Sequence, residues 1–160
     1  MELSHVLLTF AAAMTPVGEL RLAIPLALLT YDLDWYVALP VAALGNMVPV
    51  LILVPGLRRI SAILLSFPNP AGRLLLWQQE RVRRVQGPRF EKYGSLALVI
   101  LVAIPLPMTG AWTGSLASWV FGIPPRRAIP LIAIGVAIAG VVVTAVALSG
   151  IGLGRIILVD

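Results

Sequence analysis

The chain alternates long apolar stretches with short polar ones, and the apolar stretches are of two kinds. Residues 35–54 form an unbroken apolar run of about 20 residues, enough for a helix to cross a hydrocarbon core about 30 Å thick. Residues 128–149, rich in Ala, Gly, Val and Ile, predict a second such helix. Residues 3–30 and 95–122 have the length of one crossing but are broken at the centre. Pro16 and Gly18 break the first; Pro105, Pro107, Gly110 and Gly114 break the second. The pieces beside each break hold about 10–12 residues, roughly 15–18 Å of helix, and reach only mid-membrane. Half-length helices joined by a turn predict a re-entrant hairpin, with a kinked full span as the alternative.

An internal match relates the halves. Residues 38–45, Ala-Leu-Pro-Val-Ala-Ala-Leu-Gly, align with residues 128–135, Ala-Ile-Pro-Leu-Ile-Ala-Ile-Gly, at an offset of 90. Pro16 aligns with Pro107 at nearly the same offset. Residues 1–160 therefore read as one membrane domain: a hairpin plus span (1–57), a basic linker (58–93), and a second hairpin plus span (94–154). Arg58 and Arg59 follow the first span and Arg126 and Arg127 precede the second, so the positive-inside bias places both pairs in the cytoplasm. A second hairpin that enters and returns on the cytoplasmic side satisfies both. The first would open outward, with residues 31–34 as an acidic external turn. In the linker, Leu74, Leu75, Trp77, Val82 and Val85 gather on one helical face opposite Arg73, Gln79, Glu80, Arg83, Arg84 and Gln86, with Leu76 and Arg81 breaking the pattern. That amphipathy predicts a helix lying in the membrane interface. The expected fold class is an all-α integral membrane protein: an inverted repeat of re-entrant hairpin plus transmembrane helix, joined by an interfacial amphipathic helix.

Composition sharpens this picture. Of 160 residues, 59% are hydrophobic and 12% charged, about half the charged share of a soluble domain. Mean hydropathy is +0.98, so the lipid bilayer is the expected partner and the cell membrane, crossed more than once, the expected location. The net charge of +5 does not point to nucleic acid. Eight of the twelve basic residues lie between Arg58 and Lys92, which reads as a cytoplasmic loop, and no aromatic or Gly-rich readout element accompanies them. The absence of cysteine and a lone His5, read as interfacial, exclude thiolate and histidine-rich metal sites. No nucleophile–base pair or phosphate-cradling loop occurs, so neither an enzyme nor a cofactor is expected. The apolar run ending in Ala11-Ala12-Ala13 imitates a signal peptide, but its start carries Glu2 and no Lys or Arg, and residues 1–14 read as mature protein.

Two charges then stand out. In Thr15-Pro-Val-Gly-Glu-Leu-Arg21, Thr15 reads as a helix N-cap and Pro16 as the first helical residue. Glu19 and Arg21 would lie in the first turn and a half near the membrane centre, where a charge costs about 2.5–3.5 kcal/mol even on lenient scales. Either the hairpin is shallow and both are wet, or they mark an ion or substrate pathway. Two residues apart on a helix, they should point nearly opposite ways and find separate partners, with Thr109, Trp112 and Thr113 the available ones. Gly110 and Gly114 form a G-x-x-x-G spacing suited to close packing. Trp112 is either a packing residue or an aromatic wall for a lipophilic cation. Asn46 either bonds across helices or lines the cavity, and Pro107, Thr109, Gly110, Trp112, Thr113 and Gly114 complete the candidate pathway. Small residues at Gly135, Ala139 and Gly140 offer a seam for a homodimer.

The two broken regions resemble the small multidrug export family. Pro16, Glu19, Arg21, Ala23, Ile24 and Pro25 match its early motif, and Pro105, Leu106, Pro107, Thr109, Gly110, Ala111, Trp112, Thr113 and Gly114 its later one. The architecture is similar to the wider DedA-like superfamily, and Phe90-Glu91-Lys92-Tyr93-Gly94 resembles the segment entering its second hairpin. The resemblance implies proton-coupled transport of small lipophilic or cationic compounds through a midplane site between the hairpins, Glu19 carrying the proton. It alternatively implies movement of polyprenyl-phosphate or phospholipid head groups, with Arg21 on the phosphate. A non-transporting assembly factor is the third reading. DedA-like proteins carry arginines in the second hairpin, and residues 104–109 here have none.

Overall fold

The computed structural model describes residues 2–65, 70–104 and 109–159, and every regular element among them is helical. The order is α1 (Leu3–Met14), α2 (Glu19–Leu29), α3 (Trp35–Leu65), α4 (Pro70–Tyr93), a 3-10 turn (Gly94–Leu96), α5 (Ala97–Ala103), α6 (Ala111–Val120) and α7 (Pro125–Val159). Two helices contain stretches long and apolar enough to span a bilayer. These are Trp35–Ser61 in α3, with mean hydropathy 2.3, and Pro125–Gly150 in α7, with 2.8. Only 39% and 33% of their most apolar windows are buried. Leu44, Ile52, Val141 and Val146 stand on the outside, a surface that suits lipid and not water. With the composition, this makes the chain a multi-pass membrane protein.

Both long helices outrun the apolar segments that predicted them. α3 continues through Arg58 and Arg59 to Leu65. An α-helix satisfies its backbone internally, so leaving the apolar core does not itself end it.

The chain divides into two compact units, residues 1–48 with 136–160 and residues 49–135. In unit 1, α1 packs along α2. One end of this pair is the turn at residues 15–18; at the other, the His5 and Tyr31 rings stack at 4.7 Å, 8° from parallel. Small residues face inward: Ala13, Ala23, Ala27, Ala38, Ala42 and Ala139 are all buried. Gly45 of α3 lies so close to α1 that an added Cβ would collide with the Phe10 carbonyl oxygen and stand 3.1 Å from the Ala13 Cβ.

In unit 2, α5 packs along α6, and α4 packs against both. Phe90 stacks on Phe121 with centroids 3.9 Å apart, and the Trp119 indole N–H donates to Ser61 Oγ at 2.8 Å. A Cβ on Gly135 of α7 would sit 2.6 Å from the Val102 Cβ and 3.1 Å from the Val99 carbonyl oxygen. Gly45 and Gly135 are the ends of the matched eight-residue stretches. Phe10 and Ala13 correspond to Val99 and Val102 at an offset one residue shorter than 90. Each glycine therefore meets the helix that opens its own broken region, at equivalent positions.

The linker helix differs in part from its expected amphipathic face. Val82 turns inward, while Leu74, Trp77 and Val85 stay exposed as a stripe. Arg81 falls within that stripe because its guanidinium lies 5.4 Å from the centroid of the Trp77 ring, a cation–π contact.

Candidate functional site

The turn between α1 and α2 is built by Thr15. Its hydroxyl donates to the Ala12 carbonyl at 2.8 Å and accepts the Gly18 N–H at 3.4 Å, as an N-cap does. Gly18 is required by space: a Cβ there would lie 2.9 Å from the Leu22 Cβ. The regular helix does not begin at Pro16 as the sequence suggests. Pro16–Gly18 form a turn, and α2 starts at Glu19, whose N–H reaches the Thr15 carbonyl at 3.2 Å.

Glu19 departs from helical geometry. Its φ is +48°, in the left-handed region that costs an L-residue with a Cβ about 1–2 kcal/mol. Its side chain is only 5% exposed. A buried carboxylate on a strained backbone is the kind of outlier that concentrates at functional sites. That dihedral bears on the expectation that Glu19 and Arg21 face away from each other. The helical separation of residues two apart holds only where both are helical. Here the Glu19 carboxylate acts electrostatically on the half-buried Arg21. At the first residue of α2 the carboxylate also sits at the positive end of the helix dipole.

Asn46, in α3, is 1% exposed, and neither its Nδ2 nor its Oδ1 has a hydrogen-bond partner among the described residues. Of its two readings, a bond across helices or a place lining the cavity, the first is not made among the described residues. Glu19, Arg21 and Asn46 all belong to unit 1.

The remaining candidates belong to unit 2. Thr109 Oγ1 donates to the Ile104 carbonyl at 2.7 Å. Gly110 has φ 121° and ψ −163°, a conformation for glycine alone, and leads directly into α6. Gly114 is a packing residue, since a Cβ would stand 2.6 Å from Val102 Cγ2. Trp112 and Thr113 are half-buried on the first turn of α6. Pro107 lies outside the described residues. Sequence reasoning missed Thr144, which is 4% exposed with its hydroxyl unpartnered. A lone threonine in a run of Val and Ala gives no signal of that. Among the described residues, no group of three or more His, Asp or Glu side chains could hold a metal ion.

Long apolar helices, short broken ones, and a charged pair where a short pair turns describe a small helical membrane protein. The chain belongs to the small multi-drug export family. The family described as "Putative small multi-drug export protein" matches residues 19–142, from Glu19 into α7. A general transport role and a non-enzymatic character come with that membership. No curated protein and no solved structure matches the chain.

Proposed function

We propose that this chain is a proton-coupled secondary transporter exporting small lipophilic or cationic compounds, with Glu19 as the coupling carboxylate. The observation that carries the reading is Glu19 itself: a carboxylate buried on a left-handed backbone, next to Arg21, at the turn of an apolar helix pair. A carboxylate stripped of water holds either a proton or a cation, because leaving it charged and unpaired is costly. Proton and cationic substrate would therefore compete for it. Arg21 would tune that competition or receive an anionic group of the substrate. Asn46, Pro107, Thr109, Gly110, Trp112, Thr113 and Gly114 serve as pathway residues in this reading.

The membrane topology proposed with it is an inverted repeat of re-entrant hairpins. Its support is threefold. α1 has 12 residues and α2 has 11, about 18 and 16 Å of helix against a core of about 30 Å. Gly45 and Gly135 make equivalent contacts. Ten of the twelve basic residues but two of the seven acidic ones fall in residues 49–135, a bias that supports a cytoplasmic linker.

The test is proton movement in proteoliposomes on adding a lipophilic cation, or separately a polyprenyl phosphate. Wild type should respond to the cation, and Glu19→Gln should respond no more than empty liposomes. A response to polyprenyl phosphate alone would move the assignment to lipid-carrier translocation centred on Arg21. Cation-driven proton movement that survives in Glu19→Gln removes Glu19 from the coupling role.

A further inference from the structure

Buried polar side chains are distributed unevenly in this protein. In residues 49–135 the buried hydroxyls of the described residues are all engaged: Ser61 with Trp119 Nε1 and the Arg58 carbonyl, Ser115 with the Ala111 carbonyl, Ser118 with the Ser115 carbonyl. Unit 1 differs. Asn46 and Thr144 are buried there with no partner for either end of the carboxamide or for the hydroxyl. Thr9, in the same unit, shows what such a hydroxyl ordinarily does: it bonds the carbonyl four residues back, at 2.8 Å. One residue beyond the internal match, at the same offset of 90, Asn46 pairs with Val136, an apolar side chain. An asparagine without a partner destabilises the fold relative to that valine.

Asn46 lies close in the chain's architecture to the hairpin turn. Its neighbour Gly45 abuts Ala13 of α1. Two residues on, the Thr15 carbonyl accepts the Glu19 N–H at 3.2 Å. Two residues of chain span at most about 7 Å.

We infer that Asn46 is the polar anchor of a hydrated pocket in unit 1, holding one or two water molecules on the proton's route to Glu19. A carboxamide offers a donor and an acceptor together, and water is the small ligand that uses both and needs two or more polar partners when buried. Only O–H bonds change in this step: a proton passes along water to the carboxylate and leaves the same way. Asn46 is a positioning residue, acting on Glu19 through the water. The route rests on Glu19 as the coupling carboxylate, while the water stands or falls independently.

The chain has two asparagines, Asn46 and Asn69, so asparagine labelled with 15N gives two carboxamide signals, and Asn46→Val assigns one of them by its disappearance. In solid-state NMR of the labelled protein in proteoliposomes, magnetisation should pass from water to the Asn46 carboxamide faster than to the Asn46 backbone amide inside α3. Transfer no faster than to that amide overturns the inference, whatever the transport assays show. Where wild type moves protons, Asn46→Val with Glu19 intact should move them severalfold more slowly, and an unchanged rate removes Asn46 from the route.

Discussion

Glu19 combines a buried carboxylate, which acts on Arg21, with a left-handed backbone, and substitution separates the two. Glycine adopts φ near +48° without penalty, so Glu19→Gly removes the strain together with the carboxylate, whereas Glu19→Gln removes only the charge. Both should lose proton coupling, and Glu19→Gly should unfold at a higher temperature than Glu19→Gln, by about 1–2 kcal/mol of stability. Thermal unfolding of the two variants side by side checks this, and Glu19→Gly melting below Glu19→Gln would mean that the positive φ stores no strain. The charged pair was legible in sequence because charges are rare in so apolar a chain. Its geometry was not, because a positive φ at a non-glycine residue is imposed by the turn that Thr15 and Gly18 build and leaves no compositional trace. Asn46 was visible for a similar reason, while Thr144 was hidden because threonine is common and usually satisfied by its own helix.

The proposed repeat is carried more clearly by the elements than by the residues. A match of small and apolar residues at an offset of 90 is weak alone, since such sequence matches itself easily. The contacts give it weight: Gly45 on Phe10 and Ala13, Gly135 on Val99 and Val102. Close approach of two helices needs a missing side chain at the crossing, and that need is physical in both copies. Gly45→Ala and Gly135→Ala should each destabilise by about 1–3 kcal/mol through overpacking. Gly140→Ala, whose Cβ would find Leu39 at a comfortable 3.8 Å, should stay within about 0.5 kcal/mol. Denaturation of the three purified variants distinguishes them, and a tolerated Gly135→Ala would break the parallel between the copies. Breaks in the apolar runs were legible because Pro and Gly interrupt helices locally. The stacking of Phe90 on Phe121 and the inward turn of Val82 were not, because both depend on how α4 meets α6, which amphipathy does not encode.

At the scale of the whole molecule, charge makes the number of bilayer crossings testable. α5 and α6 hold 7 and 10 residues. Laid end to end they give roughly 26 Å of helix, short of the core unless the segment between them also extends. If this region crosses once, Arg59 and Arg126 lie on opposite sides; if it returns, they lie on the same side. The chain has no cysteine, so a single one can be placed without removing others. Arg59→Cys and Arg126→Cys should both react with a membrane-impermeant maleimide only after the cytoplasmic face is opened, and Asp32→Cys should react from outside in intact cells. Labelling of Arg126→Cys from outside would turn the second hairpin into a full crossing and end the inverted-repeat reading. It would also put Arg126 and Arg127 against the positive-inside bias that the other eight clustered basic residues satisfy. The two arginines should therefore be the determinants of this topology: Arg126→Glu with Arg127→Glu should shift part of the population to outside labelling of a cysteine at Gly122, where the wild-type background gives none.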